Sequence, residues 1–129
     1  MVSFLFDTMI DCTIYKTLDI VGKKWSLLIL LDLHRGETKY KRFNELKRGL
    51  KGITPKILSL RLSELEEQGL IKKNIDNSKV PIKCEYSLTE SGEDFIHIIQ
   101  GIKDWGLRWK FDNPECAATY CKQCQVSLE

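Results

Sequence analysis

Three sets of residues carry the types and spacing that could do chemistry. The first is basic. Lys39, Lys41, Arg42, Lys47, Arg48, Lys51, Lys56 and Arg61 stand between Thr38 and Arg61 against one acid, Glu45. Eight cations against one acid give +7, in a chain of 129 residues whose net charge is only +2. Lys72, Lys73, Lys79 and Lys83 against Asp76 add +3 nearby, so the remainder must sum to −8. A solvated face is the usual meaning of a charge run. Segregation on this scale instead suits counterion release from a phosphate backbone, and double-stranded DNA is the partner it implies.

The second set is thiol. Cys116, Cys121 and Cys124 place three of the five cysteines within nine residues. Thiolates at that spacing suit zinc or an iron–sulfur cluster, although each normally takes four ligands; Cys12 could complete a site where the chain ends meet, within a subunit or across a dimer. Redox-active thiols and an unliganded tail, with or without an air-formed disulfide, are the other readings, and the residues alone leave all three open. Cys12 precedes a predicted helix, where a thiol meets the positive end of the helix dipole, the setting of reactive cysteines. It is therefore a redox-sensing candidate, against the commoner case of a small buried cysteine. Cys84 alternates with strand residues and is expected to pack.

The third set is what an enzyme would need, and it is thin. The two histidines, His34 and His97, fall inside predicted helices, away from any nucleophile or acid pair. No glycine-rich phosphate loop is present, and the Cys121–Cys124 pair lies in a tail rather than after a strand of a βαβ unit. Catalysis is not expected. The longest apolar run, Leu27 to Leu31, is five residues, against the roughly 18–20 needed to span a bilayer. The start, MVSFLFDTMID, lacks the basic opening and cleavage site of a signal peptide, so a cytoplasmic protein with mainly reduced cysteines is expected.

The elements that position the basic set are legible from their punctuation. Phe43, Leu46 and Leu50 share one helical face. Lys51-Gly52-Ile53 makes a corner. Thr54-Pro55 is an N-cap followed by proline at the first helical position. Leu58, Leu62 and Leu65 turn the second helix's stripe back on the first, and Gly69 stops it. That is a helix-turn-helix. Its second helix turns Lys56, Ser59, Leu60 and Ser63 away from the stripe.

Around this unit, Cys12–Val21 and Lys24–His34 read as helices, the latter apolar on nearly every side and therefore central. Thr38–Lys41 suits a short strand. Leu70–Ile75 and Ile82–Leu88 read as a hairpin across the turn-forming, charged stretch Asp76–Pro81. Thr89 then caps a long helix to about Phe111. Along it Phe95, Ile98, Ile102, Trp105 and Trp109 fall at steps of three and four, an apolar seam widened by Ile99. Intramolecular packing would explain part of it. Two tryptophans at its far end point to a second copy of the chain, hence a homodimer. The fold expected is mainly α with a small β-hairpin, a winged helix-turn-helix whose N- and C-terminal helices form the dimer interface. Residues 1–11 would be an arm, 12–112 the domain with its dimerisation helix at about 90–111, and 113–129 a loosely held, cysteine-containing tail.

Cys12, LDIVGKKWSLLIL (18–30), RFNELKRGLKGITPKILSLRLSELEEQGLI (42–71), Pro81 and EYSLTESG (85–92) together resemble the HxlR-type winged-helix transcriptional regulators, over roughly residues 12–109. The resemblance implies a homodimer built from terminal helices, and DNA binding with the second helix in the major groove. In some members a cysteine at the position of Cys12 senses electrophiles or oxidants. This chain departs from the pattern in a longer link at Glu37–Lys41, in threonine rather than proline after Cys12, and in its cysteine-rich tail.

On that footing Thr54, Lys56, Ser59, Leu60 and Ser63 are expected at base edges. Leu60 would meet a thymine methyl there, or is simply a scattered surface leucine. Arg42, Lys47, Arg48 and Lys51 are expected on phosphates, and Lys79 and Lys83 would bring the hairpin to an adjacent groove or backbone. Arg61, nearer the buried stripe, reads as structural. A winged helix used only for protein contact is the rival function, and it has no need of so basic a unit.

Overall fold

Trp25 to Leu33 leave one helix almost without a polar face, and the rest of the chain is built around it. A computed structural model describes residues 11–125. It contains α1 (Thr13–Val21), α2 (Lys24–His34), α3 (Phe43–Gly49), α4 (Pro55–Glu67), β1 (Ile71–Asp76), β2 (Lys83–Leu88), α5 (Glu90–Trp109), α6 (Pro114–Ala118) and a 3₁₀ turn at Cys121–Gln123. Apart from Asp11, the arm expected over residues 1–11 lies outside the described residues.

Central α2 touches α3, α4, α5, β2 and the 3₁₀ turn. Ile29, Leu30 and Leu33 meet Leu46 and Leu50 of the first unit helix, Leu58, Leu62 and Leu65 of the second, and Ile96 and Ile99 of α5 in one core. Burial of that apolar surface is the main favourable term holding the elements together. No helix among the described residues is long and apolar enough to cross a membrane.

The hairpin pairs antiparallel from Ile71↔Leu88 at its base to Asp76↔Lys83 at its tip. Burial deepens toward the base, where Tyr86, Ser87 and Leu88 are covered and Cys84 packs partly against the core. The strand expected over Thr38–Lys41 is a single bridge, with Lys41 and Tyr86 exchanging backbone hydrogen bonds of 2.9 and 2.8 Å. Two details of α5 also differ from expectation. Ile99 does not widen the outer seam but faces the core beside Ile96. The helix ends at Trp109 rather than Phe111, because the Lys110 and Phe111 amides both turn back to the Gly106 carbonyl.

The tail is not loose up to Gln125. Asn113 caps α6 through Oδ1, which accepts from the Cys116 amide at 3.1 Å. The Gly36 amide donates to the Lys122 carbonyl at 2.8 Å, and Lys103 Nζ donates to the Thr119 carbonyl at 2.8 Å. Hydrogen bonds to backbone groups rather than apolar packing make these anchors, which is why composition gave no sign of them.

Candidate nucleic-acid interface

The helix-turn-helix is set by local rules. The C-cap of α3 is Leu50, and Gly52 takes φ +91°, a conformation in which a side chain would be strained. Thr54 Oγ1 accepts from the Ile57 amide at 3.2 Å, with Pro55 next in line. Leu58, Leu62 and Leu65 are buried, so Lys56, Ser59, Leu60 and Ser63 are left on the opposite, solvent-facing side. Leu60 is 46% exposed in the middle of that polar face. Thr54 is exposed too, but its hydroxyl oxygen already serves the cap.

Arg42, Lys47, Arg48 and Lys51 are exposed on and beside α3. Among the described residues none of these four, nor Lys56, takes part in an ion pair. The Arg42 amide, at the start of α3, donates to Glu45 Oε1 at 3.1 Å. Lys79 is exposed in the hairpin loop beside Val80, whose side chain is almost wholly in solvent. Lys83, by contrast, lies 3.8 Å from Glu85, which offsets part of its charge. Lys72 and Lys73 are exposed along β1, and their place in the charge run is the signal that marks them as further members of the basic surface.

Two cations of the basic stretch are committed elsewhere. Arg61 Nη1 meets Glu64 Oε1 at 2.9 Å, and Glu64 Oε2 also takes Lys23 Nζ at 3.1 Å. Burial opposes ionisation of Glu64, but the hydrogen bonds and charges of Lys23 and Arg61 together prevail and hold its pKa below the ordinary 4.5. Lys41 Nζ lies 3.5 Å from Asp32 Oδ2 and also donates to the Asp32 carbonyl. Both side chains are largely buried, so this pair ties central α2 to the strand-like link before α3. Burial pushes the Asp32 carboxyl above its ordinary 3.8, with Lys41 and Arg35 pulling the other way.

The remaining expected residues fall in two places. Ile98, Ile102, Trp105 and Trp109 form a continuous exposed stripe on α5, whereas Phe95 leans partly into the core. On α1, Ile14, Tyr15 and Leu18 are exposed and only Val21 is buried. Cys12 is the exposed N-cap of α1. Cys116, Cys121 and Cys124 line one cavity. Among the described residues no three His, Cys, Asp or Glu side chains are gathered to hold a metal ion, so the placement does not support the zinc or iron–sulfur reading.

A helix-turn-helix followed by a two-stranded hairpin, with a polar face of the second helix turned outward beside exposed cations, defines a winged helix-turn-helix transcriptional regulator. HxlR-like helix-turn-helix proteins match over residues 20–113, and the chain belongs to that family. The HTH-type transcriptional regulator YdeP of Bacillus subtilis (strain 168) is 39% identical over 84% of this chain and 82% of its own length. The solved redox regulator HypR, in its reduced form, is similar at TM-score 0.67 with 37% identity, over 75% of this chain and 92% of that one. The reduced form of the transcriptional regulator YodB from B. subtilis is similar at TM-score 0.67 with 28% identity, over 79% and 97%. These relatives are regulators, not enzymes.

Proposed function

We propose that two copies of this chain bind double-stranded DNA in a sequence-specific manner, each laying α4 in a major groove. The observation that carries this reading is the set of unpaired cations, Lys47, Arg48, Lys51 and Lys56, around an exposed polar helix face. Lys56, Ser59 and Ser63 meet base edges, and Leu60 offers a methyl-sized apolar contact to thymine. Thr54 sits where the helix start approaches the backbone. Arg42, Lys47, Arg48 and Lys51 hold phosphates, and the hairpin adds Lys79 and, more weakly, Lys83. The exposed faces of α1 and α5 join the two copies, which sets two half-sites about one DNA turn apart. Cys12, exposed at a helix start, is a redox-responsive thiol in this reading, in keeping with solved relatives named for redox regulation.

Fluorescence anisotropy on the chain's own upstream DNA and on a scrambled duplex tests the assignment. Lys56→Ala should weaken the specific duplex by about tenfold or more, on the order of the 1–3 kcal/mol of one good base contact, and the scrambled one much less. Lys79→Ala should weaken both alike. A log–log salt slope of about −0.9 per phosphate contacted is expected. A flat slope would instead mark a winged helix used for protein contact. Diamide should release DNA from the native chain and not from Cys12→Ser; equal behaviour of the two would remove Cys12 from the mechanism.

A further inference from the structure

The residues after 113 lie beyond the stretch that the family matches, and they carry three of the five cysteines. Cys121 opens a 3₁₀ turn and Cys124 closes it, the Cys124 amide donating to the Cys121 carbonyl at 3.2 Å. In a 3₁₀ turn residues i and i+3 eclipse, and three steps of about 2.0 Å set their Cα atoms roughly 6 Å apart. That separation lies inside the span of about 4.4–6.8 Å that a disulfide bridges. Both residues are partly buried and both line a cavity of about 540 Å³, walled by Leu31 and Ile99. Cys116 lines it as well, but from α6, outside the eclipsed pair.

The same turn grips the body of the protein. Arg35 Nε and Nη2 donate to the Cys124 carbonyl at 2.9 and 2.6 Å. The Gly36 amide donates to the Lys122 carbonyl, and Lys122 Nζ donates to the His34 carbonyl at 3.2 Å. Arg35 acts on the charge of Asp32, which holds Lys41, whose backbone is bridged to Tyr86 in the hairpin. The turn is thus linked to the segment before α3 and to the hairpin by the Arg35 hydrogen bonds, the charge of Arg35 acting on Asp32, the Asp32–Lys41 ion pair and the Lys41–Tyr86 bridge.

We propose that Cys121 and Cys124 are a dithiol modification site, which a hydroperoxide converts to an intramolecular disulfide that alters the tail's hold on the end of α2. One sulfur, as thiolate, attacks a peroxide oxygen: an S–O bond forms, the O–O bond breaks, and the departing alkoxide or hydroxide takes up the proton the thiol released. The second thiol attacks the resulting sulfenic sulfur: the S–S bond forms, the S–O bond breaks, and water leaves with the second thiol's proton. Two thiols lose two electrons in all, and one hydroperoxide is reduced to an alcohol, or to water, with a further water released. The modification stands on its own geometry. Its effect on DNA rests on the function proposed above.

The test uses the full chain with hydrogen peroxide, followed by alkylation of remaining thiols and peptide mass mapping. The expected result is loss of two thiols per chain as a Cys121–Cys124 bridge, reversed by dithiothreitol and retained in Cys12→Ser. Cys121→Ser and Cys124→Ser should each abolish it. Hydrogen exchange at the Gly36 amide should change by fivefold or more in the oxidised protein. Full alkylation of both cysteines after peroxide, or a bridge to Cys116 or Cys12 instead, would overturn the site. A bridge with unchanged Gly36 exchange would overturn its effect on the tail. A bridge in a chain whose two forms both ignore DNA would count against the DNA reading and leave the dithiol standing.

Discussion

Lys41 belongs by sequence to the basic stretch, yet its ammonium sits against Asp32 in a largely buried pair. The charge count alone could not separate it from Lys47 or Lys51, because the partner comes from a different helix. Its energetic role follows from the Asp32 carboxyl, whose pKa burial raises above 3.8 while Lys41 and Arg35 oppose the rise. A carboxyl raised in the folded state contributes most below its unfolded value, and that contribution is lost as pH climbs through the folded value. Lys41 limits the loss. Lys41→Met removes the ion-pair partner of a largely buried carboxylate, leaving only the charge of Arg35 to oppose its burial, and should cost about 3 kcal/mol near pH 7. Near pH 4 the carboxyl is more nearly neutral and the cost should be much smaller. Urea unfolding at the two pH values checks this; an equal cost at both would assign the loss to the packing of the lysine stem instead.

At the scale of elements, the position of α5 against the hairpin depends on one close approach. A Cβ on Gly92 would lie 2.1 Å from the Leu70 carbonyl oxygen and 3.1 Å from the Leu88 side chain. The nearer contact is backbone, so the first turn of α5 would have to move off the hairpin base. Gly92→Ala should therefore destabilise by about 1–3 kcal/mol, as overpacking does, although alanine favours helix. Thermal unfolding checks the sign, and a raised midpoint would mean that the helix start shifts without cost. Sequence periodicity finds α5 but not this contact, which depends on where a strand end returns. The same division holds elsewhere. Thr54-Pro55 and Thr89 fix helix starts through local capping, so the starts of α4 and α5 were legible to the residue. The single Lys41–Tyr86 bridge, the inward turn of Ile99 and the anchored tail each depend on a partner distant in sequence, and no local pattern encodes that partner.

For the molecule as a whole, the unexplained surface is apolar. Trp109 is 64% exposed, Trp105 56% and Ile102 54%, on a helix whose other side is in the core, and Ile14 on α1 is 71% exposed. Scattered exposed apolar residues need no explanation, but a continuous stripe marks an interface. A second copy is the partner proposed here, because one α4 offers few base contacts and linking two sites raises the effective concentration of the second. Replacing both Ile102 and Trp105 by glutamate should give a folded monomer, since neither side chain belongs to the core. Sedimentation should show the halved mass with helical circular dichroism retained. Affinity for a duplex with two half-sites should fall by about 10²-fold or more, the gain that linkage ordinarily brings, while affinity for one half-site should hardly change. A variant that stays dimeric would place the interface elsewhere on the chain. A monomer with undiminished affinity for the double site would show that each subunit reads DNA alone, leaving the stripe on α5 to some other protein.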